Sequence, residues 1–383
     1  MDFDLTDEQI MVRDSARRFA DKEIAPHVRE WDRAERMDRS IVGSLAEVGW
    51  LGATIPEGYG GMGLDTVSYC LIIEELGRAD SSVRGVVSVN VGLVAKTILE
   101  WGTDEQKKEW LPRLCSGQSL GCYGLTEPGS GSDAASLSTR AVRDGGDWVL
   151  NGSKMFITNG TWAGLALIFA RTGQEGPKGI TCFLVPTETP GFSSSEIKGK
   201  LGLRSQDTGE LVLEDVRVPD ANRLGDEGRG FSVAMSALDK GRISLAAGCV
   251  GIAQGALDAS IGYSTERRQF GKPIARYQLI QELIADMAVE TSAARLLTWQ
   301  AAALADSGTK HTVESSMAKY FASEVAVRAA NAAVQVHGGY GYIDEYPVGK
   351  YLRDARVTTL YEGTSQIQKL IIGRALTNEN AFF

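Results

Sequence analysis

Residues 120–133, LGCYGLTEPGSGSD, mark the point where the chain changes character. Upstream, residues recur at helical spacing; downstream, to about residue 220, apolar residues fall in short runs broken by glycine and proline. The upstream part opens with a capping box, Thr6-x-x-Gln9, in which each side chain satisfies a backbone donor at the other residue. Ile10, Arg13, Ala16, Phe19 and Ala20 continue at helical spacing until Pro26 limits the run. Helices are expected again at 39–48, 66–77 and 83–101, with Gly49 and Gly77 standing where C-caps belong. The intervening segment 50–64, WLGATIPEGYGGMGL, reads as a glycine-rich turn.

Downstream, Trp148-Val149-Leu150 followed by Asn151-Gly152 predicts a strand ending in a two-residue hairpin. Leu165–Ala170 and Ile180–Val185 are short apolar runs, and Leu211 and Leu213 alternate along 210–219 up to Val218-Pro219; these read as strands. After about residue 230 the helical texture returns, over 231–264, 273–306 and 311–337. Met317, Phe321 and Val325 recur every four residues, and His337-Gly338-Gly339 places glycine at the end of that helix. A last helix is expected over about 365–374. The order is helices, strands, helices, an α+β chain divided at 1–118, 119–225 and 226–383.

The 383 residues carry 40 basic and 49 acidic side chains, a net charge of −9, which argues against a non-specific nucleic-acid binder. A hydrophobic share of 43 % is ample for a large core and excludes global disorder. No uninterrupted apolar run reaches the ~18 residues a membrane span requires. Cys70, Cys115, Cys122, Cys182 and Cys249 are odd in number and none pair at metal-ligand spacing, so free thiols in a reducing compartment are expected. His27, His311 and His337 are scattered, and no metal site is expected. The opening MDFDLTDEQI has neither an apolar core nor an Arg-rich face, so a cytoplasmic protein is expected.

Four stretches could carry chemistry. In Tyr123–Asp133 the small residues would let a ligand approach the backbone, although a solvent loop reads equally well. It is neither a phosphate-binding GKS/T loop nor part of a βαβ unit. Met155-Phe156-Ile157-Thr158-Asn159-Gly160 sets an aromatic near a hydroxyl, a pair able to stack on and hydrogen-bond a heteroaromatic ring, or an ordinary strand. Arg267-Arg268-Gln269-Phe270-Gly271-Lys272-Pro273-Ile274 is a basic turn that could meet phosphate or simply be solvated. Tyr361-Glu362-Gly363-Thr364-Ser365-Gln366-Ile367 sets a carboxylate just before a helix start, where a helix dipole alone would favour it.

Taken together and in this order, the four resemble the acyl-CoA dehydrogenase family of flavoproteins. The likeness runs from Leu5-Thr6-Asp7-Glu8-Gln9 to Arg374 and includes Ile55-Pro56-Glu57-Gly58-Tyr59-Gly60-Gly61, Leu201-Gly202-Leu203-Arg204 and Glu214-Asp215-Val216-Arg217-Val218-Pro219. Gln335-Val336-His337-Gly338-Gly339-Tyr340-Gly341 and Arg353-Asp354-Ala355-Arg356 belong to it too. It implies an N-terminal helical domain, a middle β domain and a C-terminal four-helix bundle. It also implies bound FAD and oxidation of an acyl-CoA thioester to the trans-2-enoyl-CoA.

By the same resemblance Glu362 is the base that takes the α-proton, its own backbone N–H helping to hold the thioester oxygen. Relatives that draw their base from another helix carry Glu at the position that is Gly241 here, which leaves Glu362 as the candidate. Tyr123, Leu125 and Thr126 match contacts along the isoalloxazine, and Phe156, which replaces the Trp of many members, covers it with Thr158. Arg267, Gln269, Phe270, Gln335 and Gly339 match residues that reach the FAD of a neighbouring subunit, and Thr364 and Gln366 match nucleotide contacts. Such sharing requires at least a dimer, and the resemblance implies a homo-oligomer that is commonly a tetramer. Ser132, Asp239, Arg242 and Arg374 match positions that hold CoA.

Arg84, in Arg84-x-x-x-Ser88-Val89, matches the residue with which glutaryl-CoA dehydrogenases bind a distal carboxylate. An Arg snorkelling to water or paired with Asp80 is the plainer reading, and a butyryl- or hexanoyl-CoA dehydrogenase is then the alternative. The expected electron acceptor is an electron-transferring flavoprotein. An acyl-CoA oxidase would use the same base but is usually longer, and a helical interaction protein without enzymatic activity is the reading from another class.

Overall fold

The computed structural model describes residues 4–381; the first three residues of the acidic opening lie outside them. Helix α1 (Asp7–Phe19) starts at Thr6 with the capping box formed as the sequence predicts. The helical path does not stop at Pro26. It passes through a π-turn (Ala20–Ile24) and a 3-10 turn (Ala25–His27) into α2 (Val28–Ala34). Pro26 sits in the first turn of the 3-10 piece, where a missing N–H removes no intrahelical bond.

Helix α3 (Ile41–Glu47) is followed by Gly49 at φ 77°, the left-handed geometry expected past a helix end. Helix α4 (Thr66–Ala79) runs through Gly77, so that glycine is not a cap. A Cβ on Gly77 would stand 2.6 Å from the Gly248 carbonyl oxygen; the residue lets two helices touch. The predicted single helix over 83–101 divides into α5 (Ser81–Val87), a π-helical stretch Ser88–Ala95 and α6 (Lys96–Trp101), and α7 (Asp104–Cys115) follows.

The middle of the chain forms a sheet of β1 (Gly121–Gly124), β2 (Arg140–Asp144), β3 (Asp147–Thr158), β4 (Leu165–Arg171), β5 (Ile180–Pro186), β6 (Phe192–Glu196), β7 (Thr208–Pro219) and β8 (Arg223–Leu224). The order is β6-β7-β3-β2-β4-β5-β8, with β1 parallel to β4. The hairpin predicted at Asn151-Gly152 is absent. Strand β3 continues through both residues, and the β2–β3 turn lies at Gly145-Gly146. At 151–152 the register against β7 slips instead, and Gly152 packs where a Cβ would lie 2.5 Å from Thr139 Oγ1.

The last part contains α8 (Gly230–Glu266), a small hairpin of β9 (Arg268–Gln269) and β10 (Lys272–Pro273), α9 (Gln278–Asp306), α10 (Thr312–His337), α11 (Val348–Thr358) and α12 (Ser365–Thr377). The hairpin occupies the start that the sequence assigns to a helix at 273. Helix α10 ends at Gly338, φ 60°, as predicted. Its buried face is made of small residues, Ala318, Ala322, Ala326, Ala329 and Ala333, which bring it close to α8; Met317 and Phe321 remain half-buried.

Two helical stretches, Ser81–Trp101 and Gly230–Glu266, are long and apolar enough to cross a membrane by length and composition. In this protein 89 % and 72 % of their most apolar windows are buried against other elements, as core helices are. The π-helical stretch of the first packs against both α8 and β1.

Candidate active site

Glu362 occupies the turn between α11 and α12 with φ 53°, followed by Gly363 at φ 86°. Two consecutive left-handed residues are held from three sides. Gln368 Nε2 donates to the carbonyls of Glu362 (3.1 Å) and Gly363 (3.0 Å). Lys319 Nζ, from α10, donates to the Gly363 carbonyl at 2.7 Å. Arg242 Nε, from α8, approaches the Glu362 carbonyl at 3.5 Å. Thr364 then caps α12 by accepting from the Ile367 N–H at 3.3 Å, as its sequence position suggests.

The Glu362 side chain points inward, and its Oε2 is shut from water without a hydrogen-bond partner. Burial raises its pKa above the ordinary carboxylate range, while the cations of Arg84, Lys319 and Arg242 draw it part of the way down. A Cβ on Gly241 would lie 2.5 Å from Oε2. Glycine at 241 leaves the room that the Glu362 carboxylate fills.

Arg84 is 2 % exposed, so it does not snorkel. It does not pair with Asp80 either, because Asp80 accepts from Lys350 Nζ at 2.7 Å. Its Nη2 donates to Tyr361 Oη at 2.7 Å, its Nη1 to Ser88 Oγ at 3.4 Å, and its Nε has no partner. No carboxylate among the described residues lies within ion-pair distance of it. Arg242 pairs with Asp239 at 2.7 Å, and Asp239 also accepts from Thr312 Oγ1 at 2.7 Å.

On the sheet side, Tyr123 and Leu125 are buried at the end of β1, and the Tyr123 hydroxyl donates to the Ala234 carbonyl at 3.2 Å. The Met155 N–H donates to the Thr126 carbonyl at 2.9 Å, which lays the glycine-rich loop against the end of β3. Lys154, wholly buried, fixes that loop by donating to Glu127 (2.7 Å) and to the carbonyls of Leu125 (3.3 Å) and Phe169 (2.7 Å). Phe156 is 67 % exposed at φ 62°, and Thr158 Oγ1 accepts from Gln206 Nε2 at 3.0 Å. An aromatic ring pushed out of the core by a left-handed backbone, beside a loop tied down by a buried lysine, fits a planar heteroaromatic cofactor.

A separate open cleft of about 520 Å³ brings together Arg267, Gln269 and Gly339 with Tyr263, His337 and Tyr340. The Arg267 guanidinium lies 5.3 Å above the Tyr340 ring. Gln335 is exposed one helical position from this cleft, and Phe270, 94 % exposed, does not line it. Ser132 is exposed in the loop after β1, Gln366 is exposed in the first turn of α12, and Arg374 is exposed in its last turns. Among the described residues no cluster of three or more His, Cys, Asp or Glu could hold a metal.

The chain matches the acyl-CoA dehydrogenase N-terminal domain over residues 6–118, the middle domain over 122–216 and the C-terminal domain over 228–377. The chain belongs to the acyl-CoA dehydrogenase family. It is 47 % identical over 378 residues to a probable acyl-CoA dehydrogenase of Bacillus subtilis, covering 98 % of this chain and 100 % of that one. The butyryl-CoA dehydrogenase of Megasphaera elsdenii superposes with a TM-score of 0.96 at 43 % identity, covering 98 % and 100 %. A glutaryl-CoA dehydrogenase of Mycobacterium smegmatis in complex with FADH2 superposes with a TM-score of 0.95 at 38 % identity, covering 99 % and 97 %. This acyl-CoA dehydrogenase is an FAD flavoprotein with the three-part fold that its sequence predicts.

Several residues of the dehydrogenase site escape a reading of sequence. Lys319 is a single cation on the alanine-rich face of α10, and a charge on an apolar face was the signal available. Gln368, Gln206 and Ser244 carry no such signal, since an amide or a hydroxyl in a helix or loop is ordinary.

Proposed function

We propose that the enzyme dehydrogenates a short acyl-CoA between its α and β carbons with Glu362 as the base, and that its preferred acyl group ends in a carboxylate, as in glutaryl- or adipyl-CoA. Bound FAD supplies the acceptor for the hydride that leaves the β-carbon. Glu362 Oε2 takes the α-proton, and two features suit it to that work: it is free of partners, and burial makes it more basic. The Glu362 backbone N–H, set by the clamped turn, would meet the thioester oxygen as negative charge develops there. Arg242 and Asp239, with Ser132 and Arg374 nearer the surface, are the proposed contacts of CoA. Tyr123, Leu125, Thr126, Phe156 and Thr158 would face the isoalloxazine. An electron-transferring flavoprotein is the proposed acceptor of the electrons.

The observation that carries the choice of acyl group is Arg84. A buried guanidinium normally comes with a carboxylate, and here its direct partners are a phenol and a serine hydroxyl. A substrate with a distal carboxylate would complete the pair. A butyryl-type substrate is the second reading, favoured by the likeness to a butyryl-CoA dehydrogenase.

Steady-state rates on glutaryl-, adipyl-, butyryl- and hexanoyl-CoA with an artificial acceptor separate the two. A charged hydrogen bond contributes about 1.5–3 kcal/mol, so Arg84→Met should lower the dicarboxyl-to-monocarboxyl ratio of kcat/KM by roughly 10- to 150-fold. A wild-type enzyme inactive on both dicarboxyl substrates would leave the short fatty acyl reading in place.

A further inference from the structure

Behind Arg84 lies a chain of hydroxyls from three elements. Ser244, on α8, donates from Oγ to Ser88 Oγ at 2.8 Å. Tyr69, on α4, lies with its Oη 3.4 Å from Ser244 Oγ. Since the Ser244 proton is already committed to Ser88, the Tyr69 hydroxyl is the donor of that contact. Ser88 Oγ receives from Ser244 and from Arg84 Nη1, so both its acceptor positions are taken. All four residues are at most 2 % exposed. The relay runs in one direction, Tyr69 to Ser244 to Ser88, and leaves the Ser88 proton as its free end.

Arg84 Nε lies against α8, where a Cβ on Gly248 would stand 2.8 Å from it, so the donors left for the distal end of the site are the Nη groups of Arg84 and the Ser88 O–H. Such a surface suits an acceptor that has no proton of its own. We propose that Ser244 is a specificity-determining positioning residue, which by donating to Ser88 turns the Ser88 hydroxyl proton toward the terminal carboxylate of the acyl group. This rests on the dicarboxyl reading given above and assigns a residue on a different helix to it. Without Ser244, Ser88 regains a free acceptor position and its hydroxyl can rotate, so the anion loses an oriented donor. An alkyl terminus, which accepts no hydrogen bond, has nothing to lose from that rotation.

The test compares Ser244→Ala, Ser88→Ala and the double variant as flavin-loaded enzymes on glutaryl-CoA and butyryl-CoA. The two substrates share the reacting carbons, so a change confined to their ratio reports on the distal end. Loss of one oriented hydrogen bond should reduce the glutaryl-to-butyryl ratio of kcat/KM by about 5-fold in Ser244→Ala. Ser88→Ala should reduce it at least as far, and adding Ser244→Ala to Ser88→Ala should change it no further. Tyr69→Phe, which shortens the relay by one link, should move the ratio in the same direction. An unchanged ratio in Ser244→Ala, an equal fall on both substrates, or full additivity in the double variant would overturn the role of Ser244 while leaving the dicarboxyl preference standing. A wild-type enzyme that turns over butyryl-CoA but not glutaryl- or adipyl-CoA overturns both together. Visible flavin absorbance and the thermal midpoint of each variant show that it is folded and loaded.

Discussion

Glu362 must be ionised to take a proton, so turnover rises on the acid side as pH passes through its pKa. Burial moves that rise to higher pH, and three cations facing the carboxylate from different helices, Arg84 on α5, Lys319 on α10 and Arg242 on α8, move it back. The other titratable neighbours, Tyr361, Tyr123, Tyr69 and Cys249, are pushed by burial to hold their protons more firmly and stay neutral over the working range. Lys319 itself is drawn down to about 8 by burial. It has two tasks, holding the Gly363 carbonyl and lending charge. Lys319→Met removes both. The acid limb of kcat/KM should move to higher pH, and kcat on its plateau should fall by about 10- to 100-fold as the clamped turn loosens. Glu362→Gln should lower turnover by at least ~10²-fold and abolish that limb while flavin stays bound. A Lys319→Met profile superimposable on wild type would show that neither the charge nor the clamp reaches the base.

At the scale of elements, the site depends on α4 and α8 passing close enough to hold Tyr69, Ser244 and Arg84 together. Glycines make the crossing: a Cβ on Gly77 would meet the Gly248 backbone, and one on Gly251 would stand 2.1 Å from the Glu74 carbonyl oxygen. Gly77→Ala gains up to about 1 kcal/mol of helix propensity but forces backbone apart, an overpacking term of about 1–3 kcal/mol. The expected result is a lower thermal midpoint; a midpoint at or above wild type would mean that the helices part without loss.

The same glycine shows where sequence is legible and where it is not. Gly49 and Gly338 were readable as helix ends because apolar periodicity stopped beside them. Gly77 looked the same in sequence, yet its reason lies 171 residues away on another helix. In sequence the π-helical stretch Ser88–Ala95 reads as plain helix for a related cause. Every residue in it is buried, so no polar face sets a period by which a wider turn could be noticed. Asn151-Gly152 carried a true local signal, but pairing of β3 with β7 on both sides of it overrode the turn. Glu362, Gly241, Phe156 and Tyr123 stand out in the sequence because each lies in a contiguous motif. Lys319 and Ser244 do not, because their partners come from distant elements.

For the whole molecule, the exposed apolar residues are the guide. Phe270 stands at the tip of the β9–β10 hairpin, 94 % exposed, and Leu279 and Val289 on α9 are 74 % and 69 % exposed. The hairpin does not hold Phe270 out by accident of flexibility. Arg268 Nη2 donates to the Gly271 carbonyl at 2.9 Å, Tyr277 Oη donates to the Gln269 carbonyl at 3.0 Å, and Phe270 itself is at φ 50°. A fixed, solvated Phe beside the cleft of Arg267 and Gln269 makes sense if a second copy of the chain covers it, with the cofactor between them. A two-fold interface buries two copies of Phe270, one from each protomer, at about 1.5–3 kcal/mol apiece, so Phe270→Asp should weaken the dimer by about 3–6 kcal/mol. By the same coupling it should release FAD, since a site completed by the partner fails when the partner leaves. Light scattering after size exclusion, read together with the ratio of flavin to protein absorbance across a dilution series, measures both. The wild type should be dimeric or larger and yellow, and the variant smaller and paler at the same concentration. A wild-type monomer with a full complement of flavin would place the whole FAD site within one chain and leave the exposed Phe270 without a partner.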